Sequence, residues 1–378
     1  AFGENTVSYP YGYGYIAGGP GETPHYSSIQ RIDFSNDMVH SSLRGNLINA
    51  GHKQAGVSSK THGYVCGGIA ASATDSAVVR IDYNNDDTSP RGNLTVGKRS
   101  RTGVHNSYYG YVAGGMPESS LIDRIDFSSD TSTALARGPL AAARYEMGGA
   151  GNDDYAYWAG GGPSPRVSTV QRLDYASDTA VATTKGPITN SVDYLRGTSN
   201  GVYGYIAGGY SPDKSTVDRI DFNNDTATAS TKGPLSAAAW GMGSTGTRSF
   251  GYYAGGDPGG TGSTVSRIDY SNDTAVASAR AKLNLQTGKV NGVSSQANGL
   301  PGFNFSQGSV GTYSAGYFGA GFVPGPAKVS SVDRVDYSND TATALARGPL
   351  TTARRKLEAV GNEDSGYVAG GTSDNNTI

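Results

Sequence analysis

Seven times along this chain an arginine stands two residues before an aspartate. The pairs are Arg31/Asp33, Arg80/Asp82, Arg124/Asp126, Arg172/Asp174, Arg219/Asp221, Arg267/Asp269 and Arg334/Asp336. On an extended strand residues i and i+2 share a face, so a ring of such arginines could hold an anion. Each arginine travels with an aspartate, however, and buried charges need partners. The preferred reading is a ladder of charge-assisted hydrogen bonds between neighbouring units. A further aspartate closes each motif, and Asp33-x-Ser35-x-Asp37 places oxygens at positions 1, 3 and 5, as a calcium loop does. The glycine such a loop needs next is Met38, or Asp87 in the second copy, and no acid recurs at position 12. A turn fixed by Asn and Asp side chains accounts for the same residues.

Other chemistry finds little support. The histidines at 25, 40, 52, 62 and 105 share no repeat position, so no metal site is expected. The one cysteine, Cys66, forms no internal disulfide and reads as a small buried thiol. No Gly-Lys-Ser/Thr phosphate loop occurs, and no Ser-His-Asp arrangement is supported by spacing. Net charge is −2 with no basic run, which argues against nucleic acid. No apolar stretch approaches the ~20 residues of a membrane span. The expectation is a chain with no catalytic, cofactor or metal residues, and no enzyme.

What must position these residues is a repeat. Gly14-Tyr15-Ile16-Ala17-Gly18-Gly19 returns with its tyrosine at 64, 111, 157, 205, 252, 317 and 367. Successive gaps are 46–50 residues, save one of 65. The 378 residues include 56 glycines and 25 tyrosines, with only 16% charged. Such composition favours short strands joined by tight turns. After each Gly-Gly come a variable stretch, the Arg-Ile-Asp strand, an Asn-Asp turn and a Thr-Ala run such as Thr226-Ala227-Thr228-Ala229-Ser230-Thr231, read as a fourth strand. Within the third strand Asp218, Ile220 and Phe222 alternate with Val217, Arg219 and Asp221. Four-stranded units of this period predict an all-β fold, a β-propeller.

An aromatic and a hydrophobic residue leading into Gly-Gly, then a strand ending in Asp, a turn and a fourth strand, resemble the kelch repeat. Two features depart from it: Ile-Asp-Phe/Tyr replaces Tyr-Asp, and no tryptophan occupies the fourth strand. The variant Gly-Tyr-x-Ala-Gly-Gly with Arg-Ile-Asp-Tyr-Ser-Asn-Asp-Thr is also similar to tandem repeats in virion and tail-fibre-like proteins of marine phages. A galactose-oxidase-like enzyme would need a Cys-Tyr cofactor and histidine copper ligands, and Cys66 sits at the alanine position of a repeat strand.

The units run 2–48, 51–97, 98–140, 144–188, 191–235, 239–283 and 287–350, with a partial unit at 354–378. They predict eight blades in one ring, or seven with a spare hairpin. All eight repeat tyrosines are expected to be buried between blades. An insertion at 295–315, carrying Leu300, Phe303, Phe305 and Tyr313, is expected between two strands of the seventh unit as a docking surface. The variable loops after Gly-Gly, such as Pro20–Ser28 and Asp257–Thr264, are expected to line the opposite face and meet a ligand. The resemblance implies a non-enzymatic virion structural protein, a fibre or appendage component. Its partners would be other virion proteins, copies of itself, and a host surface receptor or glycan. The alternative is a secreted or cell-surface bacterial adhesin or carbohydrate-binding propeller.

Overall fold

The computed structural model describes residues 12–19, 26–70, 73–210, 212–256 and 262–294. In the C-terminal part it describes 309–311, 315–322, 328–336, 345–347, 350, 355–361 and 366–372. The chain divides into two compact units, Ala1–Leu300 and Pro301–Ile378. Among the described residues there is no α-helix, and no helix is long and apolar enough to cross a membrane.

The first unit is a six-bladed β-propeller. Blade three shows the plan: Thr102–His105, Tyr109–Ala113, Ile122–Asp126 and Leu135–Ala136 form an antiparallel sheet in that order. Blades four, five and six repeat it from Gly148–Gly151, Arg196–Ser199 and Gly243–Gly246. Blade two adds Gly51–His52 beside the far end of its long second strand, His62–Ala70. Blade one is assembled from both ends of the unit. Tyr13–Ala17, Ser28–Asp33 and Ser42–Asn46 are its outer strands, and Asn291–Ser294 returns as its innermost strand. The register of that closure is Gly14↔Ser294 through Ala17↔Asn291.

This corrects the expected ring size. Neither eight blades nor seven surround the axis, because Asn291–Ser294 closes the ring after the sixth. Residues assigned to the first strand of unit 287–350 thus belong to blade one. The seventh repeat begins again with Ser309–Gly311, in a sheet with Ala315–Phe322, Lys328–Asp336 and Leu345–Arg347. The eighth is the hairpin Arg355–Gly361 with Gly366–Thr372. The gap of 65 therefore contains a second copy of a first strand, and the expected insertion falls after the closing strand rather than inside one repeat. Leu300, Phe303, Phe305 and Tyr313 lie outside the described residues.

Glycine sets the radius of the ring. The innermost strands carry Gly56, Gly103, Gly149, Gly197 and Gly292 at one register position, with Ser244 at the sixth. A Cβ on Gly103 would collide with the Gly56 carbonyl oxygen, and one on Gly197 with that of Gly149. Neighbouring strands thus approach through bare backbone at the axis. Where each second strand ends, the paired glycines turn the chain with positive φ, as at Gly208 (73°) and Gly209 (119°). The core lies between blades, in six clusters of buried residues. Cys66 is fully buried there, and burial pushes its thiol up to about 12.

The fourth strands are shorter than expected. Thr226, Ala227, Thr228 and Ala229 form a turn and an extended lead, and pairing begins only at Ser230–Lys232. The preceding aspartate explains why: Asp225 is held by the neighbouring blade, so the chain must pass that anchor before it can return to its own sheet.

Candidate functional site

The repeated polar residues assemble at the six seams between blades. At each seam the repeat tyrosine donates a hydrogen bond to the closing aspartate of the next blade. Tyr15 reaches Asp86, Tyr64 Asp130, Tyr111 Asp178, Tyr157 Asp225 and Tyr205 Asp273, at 2.7–3.1 Å. Tyr252 reaches Asp37 at 2.8 Å and completes the circle. The arginine of the third strand meets the same carboxylate, as in Arg219 to Asp273 at 2.8 Å and Arg267 to Asp37 at 2.7 Å. A second cation from the fourth strand joins it, such as Lys232 or Arg280. Each tyrosine ring also stacks on an aromatic residue of the next blade: Tyr157 on Phe222 and Tyr205 on Tyr270, both at 4.7 Å.

The expected ladder between units is therefore present, but its acid is a different one. The aspartate two residues after each arginine does not take part. Asp33, Asp82, Asp126, Asp174, Asp221 and Asp269 each accept from the backbone N–H two residues on. They fix the turn, as the Asx reading requires. The two carboxylates of each would-be calcium loop thus serve separate partners. Of the eight tyrosines, the six in the ring are fully buried. Tyr317 is half-buried, and the side chain of Tyr367 lies outside the described residues.

These seams set an alkaline limit. Burial first, and the adjacent carboxylate with it, pushes all six phenols well above their ordinary value. A group whose pKa is raised by folding contributes stability that is complete below its unfolded value, about 10 for tyrosine, and lost as pH rises toward the folded value. We expect the melting temperature to decline steeply above about pH 10, with phenolate absorbance appearing together with unfolding. Phenols that titrate at their ordinary pH in a protein that stays folded would contradict the assignment.

The two ends of the ring differ. At one end lie the Asx turns and the hairpins between first and second strands, whose caps recur: Asn106, Asn152, Asn200 and Thr247 each accept from the N–H three residues on. At the other end the loops after Gly-Gly meet the segments that lead into the first strands. The bonds Met116 N–H to Arg99 O, Gly162 N–H to Tyr145 O and Tyr210 N–H to Asp193 O join them.

Around the axis at this second end, Lys53, Ser100, Glu146, Tyr194, Gly241 and Lys289 occupy one repeat position, and all have φ between 53° and 66°. Only one is a glycine, and a bulky residue in the left-handed region is strained by ~1–3 kcal/mol. Backbone bonds run from one to the next: Lys53 N–H to Lys289 O, Ser100 N–H to Lys53 O, Glu146 N–H to Ser100 O, Gly241 N–H to Tyr194 O. This belt holds the strain. Below it Arg196 crosses two blades to reach the Val290 carbonyl at 3.1 Å. A polar cavity of about 50 Å³ lies on the axis, lined by Gln54, Arg196, Thr198, Thr245 and Asn291.

Residues just outside the belt do not follow the repeat. His52, Arg99, Tyr145, Asp193, Trp240 and Gly288 are equivalent in position and unlike in chemistry. On one side they gather an aromatic cluster. Trp240 lies 4.8 Å from Tyr194 and 5.0 Å from Tyr210, centroid to centroid. Lys289 Nζ lies 5.6 Å from the Trp240 ring, and the Arg166 guanidinium 5.5 Å from that of Tyr210. Arg166 Nε and Asp193 Oδ1 stand 2.7 Å apart. None of these residues belongs to a repeated motif of the sequence. The cluster's signal is Trp240: it is one of only two tryptophans, and it interrupts a position otherwise occupied by five other residue types.

Among the described residues no group of three or more His, Cys, Asp or Glu gathers as metal ligands. Comparison with models of protein families and with curated proteins finds no match. Of the loops expected to carry binding, 20–25 and 257–261 lie outside the described residues.

Proposed function

We propose that this chain is a non-enzymatic virion component, a fibre or appendage propeller that assembles with other structural proteins or copies of itself and attaches to a host surface. The observation that carries this reading is the separation of repeated from unrepeated chemistry. Tyr, Arg and Asp of every ring repeat are spent on the seams. Residue types vary on the Gly-Gly face, where a rigid scaffold presents loops and strained backbone. The likeness of the repeats to kelch repeats and to those of phage tail-fibre-like proteins supplies the setting, which is extracellular.

Mass spectrometry of purified virions tests it. The chain should appear at a copy number in keeping with a fibre or appendage, and antibody against the Gly-Gly face should block adsorption to cells. Its absence from virions of the phage that encodes it would sink the proposal.

A further inference from the structure

We propose that Tyr194, Tyr210 and Trp240, with Arg166, Asp193 and Lys289, form a binding site for a pyranose sugar of a surface polysaccharide. This rests on the attachment reading above and names the ligand of that same face.

The three rings come from the entry to blade five, its Gly-Gly loop and the entry to blade six. They meet edge-on or tilted within 4.8–6.2 Å of one another. Tyr210 is 41% exposed, and Trp240 and Tyr194 are half-buried. Tyr210, the exposed member, backed by the other two rings, offers an aromatic surface against which the apolar C–H face of a pyranose can pack. The flanks supply what hydroxyl groups need. Arg166 presents a planar fork of donors. Asp193 stands beside it, close enough for charge attraction, but Nε–H and Oδ1 are not aligned as a hydrogen bond. Asp193 is buried and holds the guanidinium in place, while Arg166, with 28% of its side chain exposed, can donate to a hydroxyl through its terminal N–H groups. Lys289 adds a third polar group beside Trp240.

A proline-rich peptide also stacks on aromatic residues, but it needs a line of rings along a groove. Here the rings cluster at one point with charges on either side, which favours a sugar.

The two tryptophans make the test selective. Trp158 is fully buried in blade four, so a change of emission on binding reports Trp240. The full chain is applied to an array of bacterial surface oligosaccharides, and each hit is titrated by tryptophan emission. At least one oligosaccharide should give a saturable change that Trp240→Phe abolishes. Tyr210→Ala should weaken binding by up to about tenfold, the size of one lost aromatic contact. Arg166→Lys, which keeps a cation beside the buried Asp193 but removes the planar fork of donors, serves as the second variant should Tyr210→Ala fail to fold, and it should also weaken binding. The proposal is overturned if no saccharide on the array binds, if both variants bind as tightly as the parent, or if a proline-rich peptide shifts the emission and no saccharide does. Sugar binding by purified protein is independent of virion location. A chain found in virions that binds no sugar would therefore sink this site alone.

Discussion

Tyr205→Ala is expected to lower the free energy of unfolding by roughly 3–5 kcal/mol, as for other buried aromatic truncations. The ring is fully buried, stacked at 4.7 Å on Tyr270 of blade six and hydrogen-bonded to Asp273. Alanine removes the packed volume at the seam and takes the phenol from a carboxylate that blade six directs inward. Tyr205→Phe keeps the stack and removes only the hydroxyl, so it should cost about 1 kcal/mol. Denaturant unfolding of the three proteins checks this. Equal losses for Phe and Ala would show that packing at the seam contributes little.

Asp178→Ala should have an effect of similar size for a different reason. Its Oδ2 meets Tyr111 at 3.1 Å, Arg124 at 2.7 Å and Arg137 at 3.3 Å. Removing the acid leaves two cations and a phenol facing one another in a largely buried seam. Loss of one partner from a buried charge pair typically costs about 3–5 kcal/mol. The arginines keep some solvent contact, 18% of each side chain, so the lower part of that range is expected. Asp178→Asn preserves volume and an acceptor oxygen, and should recover part of the loss. If Asp178→Ala melts with the parent, the ladder is ornamental and the blades are held by apolar packing.

The repeat made most of the architecture legible. The Gly-Tyr-x-Ala-Gly-Gly strand, the Arg-Ile-Asp strand and the Asx turn each carry a local physical signature, and each is found where its spacing places it. Ring size is not local. It depends on which strand pairs with Tyr13–Ala17, a contact between residues almost 280 positions apart. Nothing in Asn291-Gly292-Val293-Ser294 distinguishes it from the other first strands, so the sequence reads equally well as the start of a seventh blade. The seams show the same limit. An arginine and an aspartate two residues apart on one strand look like partners, yet the geometry of the ring brings Arg219 to Asp273, 54 residues away. A rare tryptophan marks position 240, but the rest of its cluster is scattered over four blades, and only the blade positions show that Arg166, Tyr194, Tyr210, Trp240 and Lys289 share one end of the axis.

The central claim is that the ring closes at six blades, and one interaction occurs only if it does. Arg267 of blade six lies 2.7 Å from Asp37 of blade one. In a ring of seven or eight, blade six would meet blade seven instead. A double-mutant cycle of Arg267→Ala and Asp37→Ala, measured by equilibrium unfolding, isolates that contact. For two groups in direct contact the coupling is expected at about 0.5–3 kcal/mol, as it should be for Arg219 and Asp273 inside the ring. Additive effects of the two substitutions, alongside clear coupling at the Arg219–Asp273 seam, would contradict closure at six.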